Sequence, residues 1–105
     1  MGKEALAYYL DGDISVLYGT HTHVQTADER VLPKGSAYIT DIGASGPENS
    51  VIGFDPQISV RRVLTQLPLK NEVAADAATL HGLVVQTDEA GNATSVERLA
   101  FRSLI

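Results

Sequence analysis

The stretch Ile14-Ser15-Val16-Leu17-Tyr18-Gly19-Thr20-His21-Thr22-His23 sets the reading of the whole chain. Its first half is an apolar run of the kind that forms a buried strand. Its second half places two imidazoles one residue apart at the carboxyl end of that strand. In an extended backbone the side chains of residues i and i+2 leave the same face, so His21 and His23 are expected to converge on one metal ion or on two neighbouring ions. Neutral imidazole is a ligand for Zn, Fe, Ni and similar ions. The same spacing also serves a hydrogen-bonded surface pair, and spacing alone leaves both readings open.

Upstream of this stretch, Lys3 to Leu10 has the pattern of an amphipathic helix, with Leu6, Tyr9 and Leu10 at i, i+3 and i+4 and a stop in Asp11-Gly12-Asp13. No capping residue beyond Gly2 precedes it, and we expect further chain upstream. Downstream, Val31 to Asp41 reads as a β-hairpin turning at Pro33-Lys34-Gly35, where proline presets φ at one turn position and glycine accepts positive φ at a later one. After a loop of small residues, Gly43-Ala44-Ser45-Gly46-Pro47, Asp55-Pro56 supplies an N-cap and a first-turn proline. The helix it opens is predicted to run to about Gln66, with Val60, Val63, Leu64 and Leu67 as one apolar stripe and Arg61 and Arg62 on the polar side. The remainder reads as strands over Leu69 to Ala74, Leu80 to Thr87 and Thr94 to Arg102, the last two forming a hairpin through Asp88-Glu89-Ala90-Gly91-Asn92. Strands on both flanks of one helix give an α/β layered arrangement.

Length and charge narrow the function classes. At 105 residues, 44% hydrophobic and 20% charged, the chain is expected to be a single globular domain or a portion of one. Thirteen acidic against eight basic side chains give a net charge of −5, which repels a polyphosphate backbone and argues against broad nucleic-acid binding. A compact phosphate substrate held by metal cations is still compatible, because bound divalent ions dominate the local field. With no cysteine in the sequence, any metal must be held by histidine and oxygen ligands. No apolar run approaches the length of about 20 residues that spans a bilayer, and the expected compartment is the cytoplasm.

The residues Gly19-Thr20-His21-Thr22-His23-Val24-Gln25-Thr26-Ala27-Asp28-Glu29-Arg30, followed by Tyr38-Ile39-Thr40-Asp41-Ile42-Gly43 and Gly46-Pro47, resemble the C-terminal part of the bacterial YmdB-like metallophosphoesterases, a branch of the calcineurin-like phosphoesterase superfamily. The helix from Asp55 to Leu67, with its Arg61-Arg62 pair and Leu67-Pro68 exit, is similar to the family's continuation. The resemblance implies a portion of a metallophosphoesterase-type αββα sandwich: a mixed sheet, flanking helices and a C-terminal antiparallel hairpin. It implies that His21 and His23 are the last ligand motif of a binuclear site, each ring serving one of two divalent ions. Iron or manganese is expected there, with magnesium or zinc also compatible. The implied activity is hydrolysis of phosphodiesters, with 2′,3′-cyclic nucleotides as the substrate class. Paired cations clamp the phosphoryl group, neutralise developing charge and lower the pKa of water. The family's other ligands have no counterpart in this chain, so the expectation is a C-terminal fragment with an incomplete site and little activity alone, complemented by an upstream half.

Asp41, at a strand end beside the glycine loop, is a candidate support for the ligands from behind or for the substrate side. Gly43 and Gly46 are candidates for bringing backbone N–H groups to a phosphate, although a tight connection is the simpler use of that loop. Asp28, Glu29 and Asp41 itself are candidate oxygen ligands or solvated charges. His81 stands alone in sequence and is read as structural. No catalytic acid or base is assigned within the chain. Two readings compete with the phosphodiesterase: a non-catalytic module that self-associates as a homo-oligomer or binds a partner through strand edges and apolar surface, and a metal carrier built on the histidine pair alone.

Overall fold

In the computed structural model, residues 2–102 are described. The chain divides into two compact units, one holding residues 2–44 with His81–Ala100, the other Ser45–Leu80 with residues 101–102. The described residues form two helices and six strands: α1 (Gly2–Leu10), β1 (Val16–Leu17), β2 (Arg30–Val31), β3 (Ala37–Tyr38), β4 (Gly46–Pro47), α2 (Pro56–Thr65), β5 (Ala78–Thr87) and β6 (Ala93–Arg102). The class is α/β, as expected.

The first unit is organised around β3. It pairs in parallel with β1, Val16 opposite Ala37 and Leu17 opposite Tyr38, and antiparallel with β2, Arg30 opposite Tyr38 and Val31 opposite Ala37. This small mixed sheet has the order β1-β3-β2, so the middle strand is covered on both edges. Accordingly Ser36, Ala37, Tyr38 and Ile39 are buried. The hairpin turn falls where the sequence places it. The Gly35 N–H donates to the Leu32 carbonyl at 3.0 Å and the Leu32 N–H to Ser36 at 2.8 Å. Gly35 has φ +100, and a Cβ there would lie 2.9 Å from the Asn92 side chain, so only glycine fits without movement.

Two expectations for this unit need correction. The strand predicted over Ile14 to Tyr18 shrinks to Val16–Leu17 and is only half-buried, and Tyr18 is exposed. It has β3 as its single neighbour in the sheet, so its outer edge lacks the cover that the apolar run suggested. In α1 the stripe Leu6, Tyr9, Leu10 is mostly turned outward: Leu6 and Tyr9 are exposed, Tyr9 by 82%, Leu10 is half-buried, and Ala7 is the residue packed against Leu32 and Tyr38. A small side chain lets the helix lie close to the sheet, and Arg30 fastens it by an ion pair with Glu4 at 2.9 Å while resting 5.0 Å from the Tyr38 ring centre.

The β5–β6 hairpin closes through the predicted turn. Asp88 Oδ1 accepts the N–H groups of Ala90 and Asn92, each at 3.0 Å. The tip is tied to the rest of the first unit by Ser15 Oγ donating to the Gly91 carbonyl at 2.6 Å and the Ala93 N–H donating to Gly35 at 2.7 Å.

In the second unit β4 pairs antiparallel with the start of β5, Gly46 opposite Thr79 and Pro47 opposite Ala78. Helix α2 begins as the sequence dictates: Asp55 Oδ1 accepts from Gln57 N at 2.8 Å and Ile58 N at 3.3 Å, and Pro56 is the first helical residue. It ends at Gln66 in the left-handed conformation, φ 59. The strand predicted over Leu69 to Ala74 does not form. Only a bridge between Val73 and Phe54 appears, flanked by Asp55 N donating to Glu72 at 2.8 Å and Ala74 N to Gly53 at 2.9 Å. Its partner segment runs straight into the helix cap at Asp55, which leaves no backbone to extend the ladder. The predicted stripe of α2 is present but uncovered, with Val60, Val63, Leu64 and Leu67 between 53% and 77% exposed.

Replacing Asp55 by alanine removes both cap bonds and is expected to lower stability by about 0.5–2 kcal/mol, read as a reduced urea midpoint. An unchanged midpoint would mean that the cap contributes nothing to the folded unit.

Candidate metal centre

Residues 21–24 follow β1 as a bent loop, not as extended strand, and His23 lies in the left-handed region with φ 64. The expectation that a pleated backbone sends both rings to one face therefore fails. The loop is held by fastenings of its own. His21 and His23 are both exposed, and neither ring forms a hydrogen bond or ion pair with a described residue.

The fastening is Asp41, whose side chain is completely buried. Its Oδ2 accepts the Thr22 N–H at 2.6 Å and the Thr22 hydroxyl at 2.7 Å, and its Oδ1 accepts the Gly43 N–H at 2.8 Å. Thr22 is the residue between the two histidines, so the carboxylate grips the loop at its midpoint. Thr26 extends the grip: its N–H donates to the Asp41 carbonyl at 3.0 Å and its hydroxyl accepts the Asp41 N–H at 3.0 Å. Further along, Gln25 Nε2 donates to the carbonyls of Gly82 and Leu99, each at 3.1 Å, which ties the loop to the β5–β6 hairpin.

A second carboxylate repeats the arrangement one step away. Asp28 Oδ1 accepts from the Thr26 hydroxyl at 2.7 Å and from the Thr40 N–H at 3.1 Å, and Oδ2 accepts from the Thr40 hydroxyl. Lys3, from α1, donates to the Thr40 carbonyl at 2.9 Å. Gly19 makes room for that lysine: a Cβ there would lie 2.0 Å from Lys3 Nζ and 2.4 Å from the Thr40 carbonyl oxygen.

These contacts set the ionisation of both acids. For Asp41, burial is the largest influence and acts to raise the pKa. The Thr22 hydroxyl, the Gly43 and Thr22 N–H groups and the charge of Lys3 together outweigh it and hold the carboxyl below its ordinary value. For Asp28, burial again acts upward and is outweighed by the hydroxyls of Thr40 and Thr26 and the Thr40 N–H, leaving the pKa lowered. Both groups are thus anions built into the fold.

The other candidates fall out differently. Asp28, bound by Thr26 and Thr40, is a structural acceptor, and Glu29 pairs with Arg98 Nε at 2.8 Å, so neither is placed as an oxygen ligand. Gly43 has φ +84, and a Cβ would lie 2.9 Å from Gln25 N; its N–H points to Asp41. Gly46 belongs to β4 in the second unit, with open space where a Cβ would stand, so its glycine character is not required by packing. His81 Nδ1 lies 2.7 Å from the Ala44 carbonyl, a backbone anchor in keeping with a structural role. Gln25, Thr22 and Thr26 escaped the sequence reading, although three threonines near two aspartates were a readable sign of a hydroxyl–carboxylate network.

The donor chemistry fits part of a metal site. Two unengaged imidazoles on a fixed loop are suitable ligands, with no thiolate to compete, but among the described residues no three His, Asp or Glu side chains gather to hold an ion. No helix among them is long and apolar enough to cross a membrane.

Comparison with known proteins adds the remaining observations. A family profile described as YmdB-like protein matches residues 1–99. The chain is 47% identical over 98 residues to a 2′,3′-cyclic-nucleotide 2′-phosphodiesterase of Bacillus subtilis strain 168, covering 92% of this chain and 37% of that protein. Among solved structures, it is similar to a novel phosphatase from Mycoplasma pneumoniae, with TM-score 0.88, 38% identity and coverage of 95% of this chain and 36% of that one. It is also similar to a hypothetical protein from Thermus thermophilus, with TM-score 0.86, 38% identity and coverage of 95% and 39%. The chain thus spans well under half the length of each of these relatives.

Two outcomes follow for the network. Because Asp41 and Asp28 have lowered pKa values in the fold, they stay ionised where the unfolded chain would take up protons. Their contribution is complete above the ordinary carboxylate range and lost as pH falls through the lowered folded values. The urea midpoint should therefore drop steadily below about pH 5, and Asp41→Asn should flatten part of that drop; an acid limb identical in the variant contradicts the assignment. Gly19→Ala, which forces Lys3 and the Thr40 carbonyl aside, should cost about 1–3 kcal/mol by the same measurement.

Proposed function

The chain belongs to the YmdB-like protein family, and on that premise we propose that it supplies one part of a metal-dependent phosphodiesterase centre. His21 and His23 are the metal-holding residues, for two divalent ions of which iron or manganese is favoured and magnesium or zinc is compatible. The substrate class is the phosphodiester of a 2′,3′-cyclic nucleotide, in keeping with the name of the Bacillus relative. The observation that carries this reading is the pair of exposed, unengaged imidazoles on a loop whose midpoint is gripped by a buried carboxylate.

The roles divide as follows. His21 and His23 offer neutral nitrogen donors and so bind without placing further negative charge against a phosphodiester. Asp41, through Thr22, holds the loop between them; its oxygens are buried and taken up by Thr22 and Gly43, so it supports the ligands and does not touch substrate. Gly43 supports Asp41, and no feature of the geometry favours a role for Gly46. When bound, a pair of divalent cations supplies charge neutralisation and water of lowered pKa for in-line displacement at phosphorus. The remaining donors, including the general acid, we assign to the part of the family protein that this chain does not span. The 105 residues then belong to one metallophosphoesterase domain, within an αββα sandwich in the cytoplasm.

A second reading is favoured by one observation, the exposure of Val60, Val63, Leu64 and Leu67 along α2. An uncovered apolar stripe of this kind suits self-association or a partner. In this reading the chain is a non-catalytic module, and its oligomeric state does not depend on metal or on the histidines.

Equilibrium dialysis against Mn²⁺ tests the leading reading. We expect weak binding by the 105-residue chain that falls further in His21→Ala and in His23→Ala and vanishes in the double variant, with little hydrolysis of 2′,3′-cyclic AMP by the chain alone. Binding that ignores both histidines contradicts the ligand assignment. Robust turnover by this chain contradicts the partial-centre reading. Gel filtration showing a histidine-independent oligomer would favour the second.

A further inference from the structure

The residue between the two histidines has a side chain used twice. Thr22 Oγ1 lies 2.7 Å from Asp41 Oδ2, to which it donates, and on its other side it accepts the Val24 N–H at 3.3 Å, with the Val24 carbonyl oxygen 3.2 Å away. The second bond arches over His23, whose backbone stands at φ 64. A residue with a Cβ disfavours that conformation, because Cβ crowds the carbonyl oxygen, and it persists where its surroundings impose it. The surroundings here are explicit. Thr22 is fixed on one side by its own N–H and hydroxyl to the buried Asp41 carboxylate, and on the other its oxygen holds Val24. The His23 ring, caught between, has no hydrogen bond to a described residue that would keep it there.

We propose that Thr22 is a positioning residue for the metal ligands: its hydroxyl, anchored on Asp41, keeps His23 in the left-handed conformation and thereby fixes how the His23 ring is presented beside His21. The assignment rests on the reading of His21 and His23 as ligands, and it adds that the middle residue of the motif is part of the site and not a spacer. Threonine and serine can both do this. Valine has nearly the shape of threonine but neither donates nor accepts, and it leaves an oxygen of Asp41 short of one partner.

The test uses the 105-residue chain as wild type, Thr22→Ser, Thr22→Val and the His21→Ala, His23→Ala double variant. Three-bond scalar couplings report the φ of His23 without metal, and broadening of the backbone amide resonances of residues 20–26 by added Mn²⁺ reports binding. Thr22→Val is expected to move His23 out of positive φ and to weaken the Mn²⁺ effect by about 10–100-fold, the range seen when groups that orient ligands are removed. Thr22→Ser should keep both. Because Thr22 is exposed, Thr22→Val should fold, and unchanged amide spectra away from residues 20–26 will establish that it has. Thr22→Val retaining the wild-type coupling or the wild-type Mn²⁺ response overturns the proposal, as does Thr22→Ser losing both. Failure of the underlying ligand reading looks different: wild type and the double histidine variant would respond to Mn²⁺ alike, while the coupling at His23 would still decide the role of Thr22.

Discussion

A completely buried carboxylate, Asp41, is the constraint on which the rest of the site depends. An ion in that position is stable only if its lone pairs are met by donors, and they are: two from Thr22 and one from Gly43. These bonds join the end of the central strand β3 to the loop that follows its neighbour β1. Two segments distant in sequence are thereby made one unit. The parallel register of β1 and β3 delivers both loops to the same end of the small sheet, and the carboxylate then converts proximity into fixed geometry. A bent, exposed loop is thereby held at its midpoint without itself being buried.

The surrounding network follows the same logic at lower cost. Threonine hydroxyls both donate and accept, so Thr26 can serve Asp28 while it receives the Asp41 N–H, and Thr40 can close the circuit back to Asp28. Gly19 and Gly43 are glycine because a lysine side chain, a carbonyl oxygen and a backbone nitrogen occupy the space a Cβ would need. A metal ligand set gains from such rigidity, because donors that need not be ordered on binding lose less entropy. The Val60, Val63, Leu64 and Leu67 face of α2 shows the opposite condition, an element whose apolar side is more than half exposed.

Much of this was legible in the sequence where the signal is local. The cap at Asp55-Pro56, the turn at Pro33-Lys34-Gly35 and the Asp88 to Asn92 hairpin each depend on two to five neighbouring residues, and each formed as read. The strand at Leu69 to Ala74 did not, because its partner segment was already committed to a helix cap, a fact of tertiary arrangement. The burial of Ala7 in place of Leu6 and Tyr9 has the same origin: close approach to the sheet favoured the small side chain over the large ones. At the site, the histidines were visible by spacing and family likeness, but residues 21–24 form a bent loop and not the extended backbone that the spacing suggested. The loop between them is held by bonds between Thr22 and Asp41, nineteen residues apart, and no periodicity in the chain encodes that pairing.

Everything proposed for the site turns on His21 and His23 presenting metal together. The most direct test is a crystal of the chain grown with Mn²⁺ and measured for anomalous scattering. A peak within coordination distance of nitrogen atoms of His21 and His23, with the Thr22 to Asp41 bonds intact, is the predicted result. Mn²⁺ bound elsewhere, with both rings turned away from any ion, would contradict it.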